Sequence, residues 1–192
     1  MAKLFSIRPS ITFRGRSFKG LRGWAGKPLH PPLTDIPVAA YFLVALFDLL
    51  SLLLGPDSAT GHDLYAGASW LLLAGFVVSI PTALTGFWDW LKSTAPHTQA
   101  WRTANWHMAV MLFVTVLVVV DVLMRRAEYA DALSTPTSIM ALTVAIGGLV
   151  AFGAMYGGAL VYEYEFNVEQ KNGWAWEKSE EDRIPGSPDP TP

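Results

Sequence analysis

Four ionisable residues stand out at the edges of an otherwise apolar chain: His30, Asp89, His107 and Glu163. Two histidines from different helices can supply both axial ligands of a b-type haem, with neighbouring glycines making room for the porphyrin. The same histidines with Asp89 and Glu163 also form a mixed nitrogen and oxygen set of the kind that binds a divalent metal such as zinc, iron or manganese. In either arrangement Asp89 can accept a proton-bearing ring nitrogen and so fix a histidine's tautomer and orientation. The plainer alternative is that all four cap helices or bond to loop backbone. Two further carboxylates, Asp48 and Asp121, fall inside long apolar runs. A carboxylate there costs about 3 kcal/mol on insertion scales, so each should face the bundle interior with a partner or a proton. Ser51, Thr143 and Arg125 are the candidate partners, and a proton or cation relay is the functional alternative.

The rest of the sequence shows what must carry these groups. The 192 residues are 52% hydrophobic and only 16% charged, with mean hydropathy +0.31. Soluble domains have about 25% charged residues. Four apolar runs, at 36–54, 64–90, 103–124 and 138–162, are each long enough to cross a hydrocarbon core. The expected fold is therefore an all-α integral membrane protein, with four transmembrane helices in an up-down bundle and both termini on one side. Residues 28–170 make up the membrane domain. A basic tail, 1–27, precedes it and an acidic, proline-rich tail, 171–192, which reads as disordered, follows. His30 is fenced by Pro28, Pro31 and Pro32, which predicts a stiff, extended lead-in, with the first helix starting near Ile36 behind Thr34 and Asp35 as caps. Pro81 interrupts the second run, where Ser79, Thr82, Thr85 and Gly86 can satisfy the backbone it frees. Thr82, Thr85 and Asp89 share one helical face. The fourth run is rich in glycine, and Gly153 and Gly157 form a small-xxx-small pair suited to close helix packing.

Charge sets the expected topology. Twelve lysines and arginines fall on the side shared by the termini and the second connection, against Arg125 and Arg126 on the other. By the positive-inside rule both termini are expected in the cytoplasm. The basic N-terminal residues are thus explained by membrane orientation, with docking to anionic lipid or a partner as the sharper alternative, and nucleic acid is not implicated. No cleavable signal is apparent in 1–27. The absence of cysteine excludes disulfides, cysteine-ligated iron–sulfur clusters, thiol catalysis and covalent c-type haem. No Ser-His-Asp order or glycine-framed serine marks a nucleophilic enzyme.

Lys27 through Leu33 with Asp48 in the following helix, Leu84 through Trp90, His107, and Gly157 through Tyr162 resemble, in order, the motifs of a bacterial four-helix family. That family consists of predicted membrane proteins, domain-of-unknown-function family 2231, and the likeness covers roughly 25–170. It implies a multi-pass protein of the bacterial cytoplasmic (inner) membrane. Some members are joined to, or found beside, Rieske-type iron–sulfur domains, which implies a link to respiratory electron transfer. One departure stands out: where the family usually continues Tyr-Arg-His-Gly, this chain has Tyr162-Glu163-Tyr164-Glu165. The leading functional expectation is a non-catalytic, redox-associated membrane component holding haem b or a metal through His30 and His107. The competing one is a structural or assembly subunit without cofactor, docking a partner through its glycine-rich fourth helix and charged tails.

Overall fold

A computed structural model describes residues 28–167, so the expectations for the basic N-terminal tail and the acidic C-terminal tail lie outside the described residues. Four α-helices account for nearly all of it: α1 (His30–Leu54), α2 (Ala59–Ser93), α3 (Gln99–Ala127) and α4 (Thr137–Tyr162). All four are long and apolar enough to cross a membrane. The outward faces carry Leu53, Trp70, Leu84, Leu123 and Met155, each more than half exposed and available to lipid.

The first helix begins earlier than the prolines suggest. His30 is its first residue, not part of an extended lead-in, and Pro31 and Pro32 occupy its opening turn. The N–H groups of a first turn have no intrahelical partner, so proline loses nothing there and its fixed φ favours the helix. Thr34 and Asp35 are consequently inside α1, and the Thr34 hydroxyl donates to the Pro31 carbonyl at 2.6 Å instead of capping. Pro37 lies within the helix and frees the carbonyl of Leu33. The Thr82 hydroxyl of α2 reaches that carbonyl at 3.2 Å, while also bonding Val78 O at 2.8 Å. Beside Pro81 the Thr85 hydroxyl bonds Pro81 O and Thr82 O, both at 2.9 Å, whereas the carbonyl that Pro81 itself frees belongs to Val77. Ser58 caps α2 and Thr98 caps α3 through their side-chain oxygens. Thr82→Val should cost about 1 kcal/mol of stability, because it removes one shared donor. Thermal unfolding in detergent would show this as a modest fall in midpoint.

The helices form a square. α1 packs on α2 and α4, α3 on α4 and α2, and the α1–α3 and α2–α4 pairs face each other diagonally. The start of α1, the end of α2, the start of α3 and the end of α4 therefore share one end of the bundle. Tyr41, Val44, Ala68, Leu72, Val114, Val118, Ile146 and Val150 fill the middle. In lipid such a core gains stability from close packing, since lipid tails are as apolar as the side chains themselves.

The buried positions reveal an internal repeat. Shifting α1 by 77 residues lays buried Pro37, Tyr41, Val44 and Asp48 on buried Val114, Val118, Asp121 and Arg125 of α3. Shifting α2 by 71 residues lays buried Ala68, Leu72, Gly75, Ser79, Thr82 and Asp89 on buried Ile139, Thr143, Ile146, Val150, Gly153 and Leu160 of α4. The α1–α2 and α3–α4 hairpins run in the same sense, so they are parallel halves about an axis along the bundle. Repeats of this kind recur in membrane proteins.

Candidate functional site

Two polar centres occupy opposite ends of the bundle axis. At the first, His30 and His107 come together with ring centroids 6.4 Å apart and planes at 81°. Each ring is anchored inside its own hairpin. His30 Nδ1 lies 2.9 Å from Thr82 O, and His107 Nδ1 lies 2.8 Å from Gly153 O. A carbonyl can only accept, so both Nδ1 atoms carry a proton, and in the neutral rings Nε2 keeps the lone pair. The Cε1 edge between the two nitrogens faces the anchoring helix, with His30 Nε2 3.2 Å and His107 Nε2 3.9 Å from where a Cβ would stand on Gly86 and Gly157. No Nε2 hydrogen bond is found among the described residues.

The helix that anchors each ring also makes space for it. A Cβ placed on Gly86 would come within 2.7 Å of His30 Cε1, and one on Gly157 within 3.2 Å of His107 Cε1. Gly86 lies one turn beyond Thr82, and Gly157 one turn beyond Gly153. The two histidine sockets are thus the same device built twice, a carbonyl at one position and a glycine four residues later.

The second centre is a buried ion triad. Arg125 Nε donates to Asp121 Oδ1 at 2.8 Å, Nη2 to Asp48 Oδ2, and Nη1 to Ser69 Oγ at 3.2 Å. Its guanidinium lies over the Tyr65 ring, 5.2 Å from the centroid. Thr135 Oγ1 bonds Asp48 Oδ1 at 3.0 Å, and the Thr135 amide bonds Ser51 Oγ at 3.0 Å. Both carboxylates are fully buried and Arg125 is 4% exposed. Asp121 Oδ2 has no hydrogen-bond partner among the described residues. Of the anticipated partners, Arg125 takes both acids. The Ser51 hydroxyl instead donates to Gly61 O at 2.6 Å, and Thr143 bonds Met140 O at 3.1 Å. Apolar Val44, Leu72, Val114, Val118 and Ile146 separate this triad from the histidines.

The expected convergence of four helix ends is only partly present. Asp89 is buried on the same face of α2 as Thr82 and Thr85. The Nδ1 of each histidine is held by a backbone carbonyl. Glu163 is the exposed C-cap residue of α4. Among the described residues no three of histidine, aspartate and glutamate come together as a metal-binding group. Gly153 and Gly157 meet Met111 and His107 of α3, so their small size serves packing within the chain.

A family profile described as "Predicted membrane protein (DUF2231)" matches residues 26–170, which contain both centres and all four helices. The chain belongs to this family. Neither the curated proteins nor the solved structures include a match to this DUF2231 member. Residue type alone singles out both histidines of this DUF2231 domain. It does not reveal Gly86, the Thr82 and Gly153 carbonyls, Ser69 or Thr135 as members of the two centres. One signal pointing to the pairing is present in the chain: His30 precedes Asp48 by 18 residues and His107 precedes Arg125 by 18, five full helical turns in each case.

Proposed function

We propose that this protein is a b-type haem carrier of a bacterial cytoplasmic membrane, with His30 and His107 as its two axial ligands. The observation that carries this reading is the separation of the two rings. A metal–imidazole bond is about 2.0 Å and the ring centre lies about 1.1 Å beyond, so ligands in line across one ion put their centroids about 6.3 Å apart. At a tetrahedral ion the same rings would stand about 5 Å apart. The 6.4 Å between the centroids found here is close to the in-line spacing, which would further require the two Nε2 atoms to face one another. A porphyrin also supplies four donors of its own, whereas a bare divalent ion would need further side chains. Ligating histidines characteristically donate their other nitrogen to a carbonyl or carboxylate, and both rings do so here.

Haem held by His30 and His107 would supply one-electron transfer. What the chain contributes is orientation and exclusion. The carbonyls of Thr82 and Gly153 hold each Nδ1–H, and Gly86 and Gly157 leave the rings room to turn inward. The apolar middle of the bundle keeps water away from one side of the site. Arg125 lies in the core and drops out of the charge count, leaving Arg126 as the single outer cation against twelve on the side of the termini. This supports cytoplasmic termini and a histidine pair at the cytoplasmic end. A Rieske-type membrane protein is the kind of partner that would exchange the electron.

The test is an absorption spectrum of the purified protein with haem quantified by pyridine haemochrome. About one haem per chain with a low-spin Soret band is expected, lost in the double variant His30→Ala/His107→Ala. A colourless chain that stays folded after growth with ample haem would rule the reading out. It would return attention to a structural or assembly subunit, although Gly153 and Gly157 already pack inside the bundle.

A further inference from the structure

We propose that the Asp48–Arg125 pair positions the His30–His107 pair, acting from the far end of the bundle as the lock between two equivalent halves. The inference rests on the haem reading for its functional meaning, but its structural content stands separately. Asp48 and Arg125 occupy equivalent positions of the repeat, as His30 and His107 do, and both pairs meet across the α1–α3 diagonal. Along each helix the two members are about 27 Å apart, on the same face.

The distribution of polar bonds shows why the lock must lie at the triad. Among the described residues each histidine bonds within its own hairpin, His30 to Thr82 and His107 to Gly153. Among the described residues, few side-chain hydrogen bonds join one half to the other. At the histidine end Trp90 Nε1 donates to Asn105 Oδ1 at 2.8 Å. Others gather around the triad: Arg125 to Asp48 and Ser69, Thr135 to Asp48 and Ser51, and Tyr65 to the Tyr129 carbonyl.

The chemistry of the axis also explains why the two pairs differ. Like residues meeting on an axis suit a ligand pair, because each imidazole gives one lone pair to a shared ion. Like charges meeting there would repel, so a buried ionic pair on the axis requires unlike residues. Aspartate in one half and arginine in the other therefore fix which face of α3 meets α1. A buried polar group used to set register is the best-attested role for such a group. A turn of α3 by one residue, about 100°, would remove Arg125 from Asp48 and rotate His107 off the axis together.

The experiment uses the full chain, which has no cysteine. Asp35→Cys and Arg102→Cys place spin labels on exposed positions near the starts of α1 and α3. Double electron–electron resonance should give one narrow distance in the parent. It should broaden at least twofold in the neutral triple variant Asp48→Leu/Asp121→Leu/Arg125→Met, and in Arg125→Lys, which keeps charge but loses the fork. In the haem-loaded forms without labels, the ferric signal should change from the strongly anisotropic low-spin type of crossed imidazoles to a heterogeneous or rhombic one. If the triple variant fails to fold, Arg125→Lys alone decides. Unchanged distances with an unchanged ferric signal would overturn the proposal. A parent that binds no haem refutes the haem reading, whereas the label distances still judge the lock.

Discussion

Arg125→Met should destabilise the bundle by about 3–5 kcal/mol, a greater loss than any other single substitution at the triad should bring. Removing the guanidinium leaves Asp48 and Asp121 facing each other, both fully buried, with no cation between them. A lone carboxylate in such surroundings must take up a proton or draw in water, and either course loses the bonds that Arg125 now makes. Ser69 Oγ would lose its guanidinium donor as well. Replacing all three ionic groups by apolar residues should cost far less, because exchanging a whole buried ion cluster for packed hydrocarbon is often neutral. The two variants separate an ionic contribution from a general intolerance of change. Unfolding in mixed micelles, followed by circular dichroism, measures both. An Arg125→Met variant as stable as the parent would mean that the carboxylates are not charged in the folded protein.

If the proposed haem reading holds, Gly157→Leu should abolish haem binding while leaving four helices intact. The glycine already lies close enough that a Cβ would approach His107 Cε1 to 3.2 Å, and a leucine side chain would fill the volume of the ring itself. His107 would have to leave its bond to Gly153 O and with it the edge-on contact with His30. The equivalent change, Gly86→Leu, is more severe at the Cβ, 2.7 Å from His30 Cε1. Overpacking of this sort costs about 1–3 kcal/mol, small beside the loss of a ligand. A haem-to-protein ratio at least tenfold below the parent, with helical circular dichroism unchanged, is the expected result. Gly148→Leu is the control, because nothing lies within 4 Å of that position. Full haem content in Gly157→Leu would exclude His107 as a ligand.

Much of the architecture follows from composition alone. Runs of apolar residues without charge cannot remain in water, and in lipid a backbone must satisfy its own hydrogen bonds, so four such runs become four helices. The same logic singles out Asp48, His107 and Asp121, since an ionisable group in an apolar run needs a reason to be there, and His30 stands just outside the first run. Proline is harder to read. Its cost depends on whether it stands in the first turn or deeper in the helix, and Pro31, Pro32 and Pro37 include both cases.

Pairing, by contrast, is a property of the folded chain. Residue type places Asp48 and Asp121 in the membrane and makes Arg125 one of several partners. That one guanidinium takes both acids depends on a contact between residues 77 positions apart. Likewise the orienting acceptors of the histidines are backbone carbonyls, which every residue has, so no residue type announces them. Asp89 is the visible candidate for that role only because its carboxylate can be read from the chain. The histidine pair itself belongs to both levels. Two histidines beside apolar runs are legible in the chain, whereas the place of His30 on the first helix and the 6.4 Å approach of the rings are set by the fold. Residue types dictated what had to be buried; the geometry of burial determined what each buried group could reach.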